Sequence, residues 1–164
     1  MTIDIVKQLG YLTLGTRLKR LGERLQADTQ RVIEACDLRV PAAQFPFLAA
    51  IDRQGPLAIG ELARSVGVTQ PGATRAVGLL VKAGLVTVES SSDDQRRKKA
   101  SLTTAGRRLV AAGKRTAWPM IESAVRDLCR ELDGSLLDQL AAIEDGLLAR
   151  PLHRRVEAMR EGER

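Results

Sequence analysis

Aromatic side chains are scarce in this sequence of 164 residues. The aromatic residues are Tyr11, Phe45, Phe47 and Trp118. Because so few large rings are present, an interior must be built mainly from Leu, Val, Ile and Ala, and this composition favours a predominantly helical protein. At this length the chain can bury a sizeable core, either as one domain or as two small lobes that share it.

Histidine and cysteine are also rare, which limits the chemistry that the chain can carry. His153 is the sole histidine, and Cys36 and Cys129 lie far apart in no metal-ligand spacing. No Ser/His/Asp set, carboxylate pair or phosphate-binding loop is present. We therefore expect no catalytic residue, no metal site and no cofactor, and the chain is not predicted to be an enzyme. Inert thiols are the favoured interpretation of both cysteines, with oxidant sensing at Cys36 as the alternative.

Long apolar runs are missing as well. No stretch reaches the roughly eighteen apolar residues that a membrane helix needs, and the first residues have no features of a secretory signal. The two cysteines fit a reducing compartment better than a disulfide framework. The sequence thus predicts a soluble, cytoplasmic chain without a membrane partner.

What the sequence does contain is a concentrated positive charge. Residues 69–116 carry ten Lys/Arg and three acidic residues, a net charge of +7, whereas the remaining residues sum to −1 and the whole chain to +6. A basic excess confined to less than a third of the sequence is typical of a surface that displaces counterions from nucleic-acid phosphates. The alternative is a solvated basic face with no partner.

The order of elements around this segment is that of a winged helix-turn-helix. The predicted elements are helices over about 41–53 and 59–66, a helix that Thr69 caps and Gly84 ends, strands over 85–89 and 96–102, and a long helix that Thr103 caps and Pro119 kinks. The predicted fold class is therefore mainly α with a small β-wing, in which a DNA-binding lobe is joined to a helical dimerisation lobe.

Leucine-rich stripes flank the winged helix on both sides. A long helix with one stripe is predicted over 4–35, two further stripes follow the basic segment, and Arg150-Pro151 leaves a short basic tail. Such stripes can be buried within one chain or between two chains. We favour a homodimer, because two-fold DNA sites call for two-fold proteins. The dimerisation residues are predicted to be Leu14, Leu18, Leu21, Leu136, Leu140 and Leu147, in domains 1–40 and 104–164 on either side of a DNA-binding lobe over 41–103.

The second motif helix carries the candidate base-reading residues. Gln70 and Arg75 have paired donors and acceptors that can discriminate base edges in the major groove, and the helix N-terminus suits a phosphate. The full candidate set is Thr69, Gln70, Pro71, Gly72, Thr74, Arg75 and Lys82 in this helix, with Asp94, Arg96, Arg97, Lys98 and Lys99 in the wing.

In the wing, Asp94 and Arg96 are two residues apart and so point to the same side of a strand. A carboxylate in that position can hold the guanidinium extended toward the narrow, electronegative minor groove. Arg97, Lys98 and Lys99 would add phosphate contacts. The alternative interpretation is a loop that is charged only to remain soluble.

These motifs carry a family resemblance. The pieces are G-P-L-x-I-G-E-L-A, V-T-Q-P-G-A-T-R, A-G-L-V, D-x-R and L-T-x-x-G, all between Gly55 and Gly106. This segment closely resembles the MarR family of bacterial transcriptional regulators, although Ala58 stands where a capping Thr or Ser is common and Val81 where Glu is common. The resemblance implies a homodimer on a pseudo-palindromic double-stranded DNA operator, with the recognition helix in the major groove and the wing in the minor groove.

The resemblance also implies a repressor that a small ligand or an oxidant releases by acting between the lobes. The predicted effector pocket is lined by Tyr11, Phe45, Phe47 and Trp118, for which a place in the core is the competing interpretation. Two other functions stay open at this point. One is a winged-helix module for protein–protein assembly, which the basic excess disfavours, and the other is a regulatory fragment of a larger enzyme.

Overall fold

The computed structural model describes residues 2–91 and 94–162, and the side chains of residues 90, 91, 94–97 and 162 lie outside that description. The chain divides into two compact units, residues 1–121 and residues 122–164.

The first unit opens on helical segments that a glycine interrupts. They are α1 (Ile5–Gln8), a 3-10 turn (Gly10–Thr13) and α2 (Leu14–Ala35). The prediction of one helix over 4–35 is wrong at its start, because Gly10 adopts φ +55° in the left-handed region. Arg20 donates hydrogen bonds of 3.1 and 2.8 Å to the Asp4 carboxylate, and these bonds hold the pKa of Asp4 below its ordinary value.

The helix-turn-helix follows a short third helix. Its elements are a 3-10 turn (Ala42–Gln44), α3 (Phe45–Gln54), α4 (Ile59–Val66) and α5 (Gln70–Lys82). The predicted helix over 41–53 starts later than expected, since Pro41 itself is extended. The helix over 59–66 is confirmed. Although Ala58 has no side-chain oxygen to cap it, the Glu61 carboxylate accepts a hydrogen bond of 2.8 Å from the Ala58 N–H.

The wing is a small antiparallel sheet. Its strands are β1 (Leu57–Ala58), β2 (Val86–Ser91) and β3 (Asp94–Leu102), in the order β1-β3-β2. Val88 lies opposite Ala100 in β3, and Leu57 lies opposite Ala100 on its other side. The sequence predicts β2 and β3 but not β1, because two residues are too few to show an alternating pattern.

Close packing joins the wing to α6 (Thr104–Arg115). The Thr103 hydroxyl accepts a hydrogen bond of 3.0 Å from the Gly106 N–H and donates one of 2.7 Å to the Gly84 carbonyl oxygen. A Cβ on Gly106 would lie 2.1 Å from the Leu85 carbonyl oxygen, so only glycine allows this approach. The predicted cap at Thr103 is therefore confirmed.

The expected kink at Pro119 is a helix boundary instead. α6 ends at Arg115, and α7 (Ala117–Leu128) begins after Thr116, whose φ of −123° and ψ of −86° break the helical path. Pro119 thus lies in the first turn of a new helix, where a missing N–H leaves no hydrogen bond unmade.

The core of the first unit lies between these helices and the sheet. Its largest fully buried side chains come from α2, α3, α4, α5 and α6, and they are Ile33, Leu48, Leu62, Leu80 and Val110. Since α4 and α5 both contribute to this core, α5 is anchored by its inner face and presents its outer face to solvent.

The second unit is a set of helices with little buried surface of its own. It contains the end of α7 together with α8 (Leu136–Ala149) and α9 (Leu152–Gly162). The predicted break at Arg150-Pro151 is confirmed, because α8 ends at Ala149, and the short tail after Pro151 forms the helix α9. Among the residues described, no helix has both the length and the apolar character needed to cross a membrane.

Candidate nucleic-acid interface

The outer face of α5 presents a line of exposed residues. Ala73, Val77 and Leu80 are buried on the opposite side, which orients the helix. With 3.6 residues per turn, the positions opposite this buried edge lie on one line along the helix. That line consists of Pro71, Arg75, Gly78 and Lys82, and all four are exposed.

The start of α5 combines a cap with exposed polar groups. The Thr69 hydroxyl accepts a hydrogen bond of 3.3 Å from the Gly72 N–H, and the Thr74 hydroxyl donates one of 2.9 Å to the Gln70 carbonyl oxygen. Gln70 is exposed. The Thr69 hydroxyl keeps its own proton for an acceptor such as phosphate, whereas the Thr74 proton is already engaged within the helix.

The wing adds two exposed cations in the described part of the chain. Lys98 and Lys99 are exposed, and they precede Ala100, which is fully buried. The candidate wing residues Asp94, Arg96 and Arg97 belong to β3, but their side chains lie outside the described ones. Their predicted roles therefore stay predictions.

Part of the positive charge that follows the wing is engaged within the first unit. Arg107 donates a hydrogen bond of 2.7 Å to the Leu102 carbonyl oxygen, and Lys114 forms an ion pair with Asp52 of α3. These cations hold α6 against its neighbours. The basic excess of residues 69–116 is thus divided between these structural contacts and exposed cations on α5, β3 and α6.

Leu79 is a surface feature of α5 that sequence analysis does not single out. Its side chain is 48% exposed, and Val81 is also exposed. The helical spacing predicts this exposure, because position 79 lies outside the buried line of Ala73, Val77 and Leu80. These two residues add apolar surface beside the cationic line, a chemistry that suits the methyl group of thymine.

The aromatic residues predicted to line an effector pocket occupy different surroundings. Phe47 is buried in the core, and Tyr11 is 94% exposed on the 3-10 turn near the N-terminus. Phe45 and Trp118 meet edge to face, with ring centroids 5.8 Å apart. Gly113 makes room for this contact, since a Cβ there would lie 2.9 Å from the indole nitrogen of Trp118.

Two surface clefts are lined by residues other than the four aromatic ones. One, of about 220 Å³, lies in the first unit between Asp52, Pro56 and Arg107. The other, of about 530 Å³, lies in the second unit and is lined in part by Val125, Cys129 and Leu136. Across residues 2–91 and 94–162, no three His, Cys, Asp or Glu side chains cluster in a way that could hold a metal ion.

Comparison with known proteins agrees with this arrangement of helices and wing. Residues 40–97 match the family model described as MarR family. Within these residues the chain is similar to the MarR family of transcriptional regulators. Comparison with curated proteins gives no match.

Solved structures extend the similarity beyond the matched segment. A probable transcriptional regulator from Pseudomonas aeruginosa is 29% identical, covering 83% of this chain and 94% of its own, with a TM-score of 0.62. The transcriptional repressor CouR, bound to a 23-mer DNA duplex, is 27% identical over 83% of this chain and 96% of its own, with a TM-score of 0.69. A mutant of MarR from E. coli, complexed with operator DNA, is 20% identical, covering 89% of this chain and 99% of its own, with a TM-score of 0.70.

Proposed function

We propose that this chain is a MarR-family regulator, a homodimeric, sequence-specific repressor that binds a pseudo-palindromic double-stranded DNA operator and is released by a small molecule. In this proposal residues 41–103 contact DNA, residues 1–40 and 104–164 form the dimer, and the protein acts in the cytoplasm. The exposed line of α5, with Arg75 and Lys82 on a helix anchored from behind, is the observation that carries it.

The physical case for DNA rests on shape and charge together. A single exposed helix fits the major groove of duplex DNA, and a guanidinium on its outer face can pair with the edge of guanine. Lys98 and Lys99 place further exposed cations on β3. Both lysines suit phosphates, which give affinity without sequence preference. A 27% identical repressor was solved on a DNA duplex, which supports the same partner for this chain.

The case for a dimer rests on apolar side chains that the single chain leaves in contact with water. Leu18 and Leu21 on α2, and Leu136 and Leu147 on α8, are all exposed, whereas Leu14 and Leu140 are half-buried. Exposed apolar side chains that line up along a helix in this way are typical of an interaction surface. Two copies of the chain would bury these stripes and would also present two recognition helices to a two-fold operator.

The direct test is selection of bound fragments from the source genome, followed by titration against a scrambled duplex of equal length at fixed salt. We expect the selected duplex to bind at least about a thousandfold more tightly than the scrambled one. Equal affinity for both duplexes would remove sequence specificity from the proposal. Absence of binding to any duplex at low salt would instead favour a protein–protein module.

For the effector, we propose a site that includes the Phe45–Trp118 contact. Trp118 is half-buried and is the sole tryptophan, so its fluorescence reports on this place alone. A compound that releases the operator should shift this emission in parallel with release. Release without any change in Trp118 emission would place the effector elsewhere.

A further inference from the structure

Gly78 lies in the middle of α5, where no contact within the molecule requires a glycine. A Cβ built on it would meet no atom within 4 Å, and its backbone is not in the left-handed region. Gly84, with φ +70°, and Gly106, which packs against the Leu85 carbonyl oxygen, have such requirements, whereas Gly15, Gly22 and Gly60 have open surroundings like those of Gly78 but lie outside α5. Glycine within a helix destabilises it relative to alanine. The folded chain would therefore be more stable with alanine at 78.

The position of Gly78 on α5 indicates that the glycine serves a contact with another molecule. It sits on the exposed line of α5, three residues after Arg75 and four residues before Lys82. These two long cationic side chains stand on either side of a stretch of bare backbone. A surface that approaches this line can come closer to the helix axis at Gly78 than at its neighbours.

We propose that Gly78 is a close-approach position, at which the α5 backbone lies directly against the sugar–phosphate wall of the major groove. This inference rests on the DNA-binding function proposed above. The wall is favoured over a base edge because recognition helices read bases chiefly with their N-terminal residues. Gly78 is already more than two turns into the helix that begins at Gln70. The contact is therefore independent of base sequence.

Gly78→Ala tests this, because stability and affinity should move in opposite directions. We expect the unfolding midpoint without DNA to rise by about 2–4 °C at fixed protein concentration. We expect affinity for the operator to fall by about tenfold, since one methyl group overfills a close contact. The loss should be the same on selected and scrambled duplexes, and the salt dependence of binding should not change, since no charge is altered.

Gly60→Ala is the matched control. Gly60 is a glycine of α4 whose Cβ would also meet nothing within 4 Å, and it is not among the candidate DNA-contacting residues. This variant should keep its DNA affinity. If Gly78→Ala binds as tightly as the wild type, the inference is wrong while the proposed function stands. A loss restricted to particular duplexes would also overturn it, because Gly78 would then face a base edge. A wild-type chain that binds no duplex would reject both proposals.

Discussion

At the scale of single residues, Arg75 and Lys99 are both exposed cations of the first unit, but they lie on different elements. Arg75 is on the outer line of α5, and Lys99 is on β3, opposite Glu89 of β2. A guanidinium can pair with two acceptors on guanine, whereas an ammonium group acts as a point charge toward phosphate. The two residues should therefore influence different properties of DNA binding.

We predict that Arg75→Ala reduces the preference among operator variants by about 1–3 kcal/mol. Lys99→Ala should weaken all duplexes alike and lower the salt dependence of binding. Titrations of both variants against a panel of single-base operator changes at two salt concentrations would measure this. A uniform loss for both variants would reject base reading by Arg75.

Gly106→Ala is predicted to lower the stability of the fold, whereas Gly78→Ala is predicted to raise it. A Cβ on Gly106 would lie 2.1 Å from the Leu85 carbonyl oxygen, and backbone must move to accept it. We predict that Gly106→Ala lowers the free energy of unfolding by at least about 2 kcal/mol. Chemical denaturation checks this, with Gly60→Ala as control because its Cβ would meet open space. Equal effects of both substitutions would contradict the close packing of α6 on the wing.

At the scale of elements, the wing is predicted to contact the DNA minor groove through Arg96, which the Asp94 carboxylate holds in place. Arg96→Ala should lower operator affinity about tenfold or more, with fold and thermal stability nearly intact, because a minor-groove contact is lost. Asp94→Ala should give a smaller loss, since the guanidinium remains but is no longer held. Affinity and unfolding midpoint are measured for each variant.

A double variant completes the test of the wing. If the two residues act as a unit, Asp94→Ala combined with Arg96→Ala should bind no more weakly than Arg96→Ala alone. Tighter binding by Asp94→Ala would show that the carboxylate only repels phosphate.

At the scale of the whole molecule, burial of the leucine stripes should make the chain a dimer at micromolar concentration. Leu140→Glu or Leu147→Glu should weaken association by at least about a hundredfold, because burying an unpaired charge is costly. Leu148→Glu is a matched control on the same helix, since Leu148 is 86% exposed and lies off the stripe. Light scattering reports the mass, and a stable wild-type monomer of 17.8 kDa would reject the dimer.

The sequence by itself determined the elements that local signals specify. Thr69 and Thr103 cap helices by bonding an N–H three residues ahead, and Gly84 supplies the left-handed backbone beyond α5. These effects act within a few residues, so they can be read without knowing the fold. The same holds for the outer face of α5, which follows from helical period and the spacing of its apolar residues.

Only the tertiary structure decided the features that depend on distant partners. The strand Leu57–Ala58 exists because β3 pairs with it, and Phe45 meets Trp118 although they are far apart in sequence. Pro119 lies in the first turn of α7 and does not kink a longer helix, since the break at Thr116 has already ended α6. The ion pair of Lys114 with Asp52 likewise joins two helices. Composition and spacing carry no information about such contacts, because packing alone selects which of many compatible side chains come together.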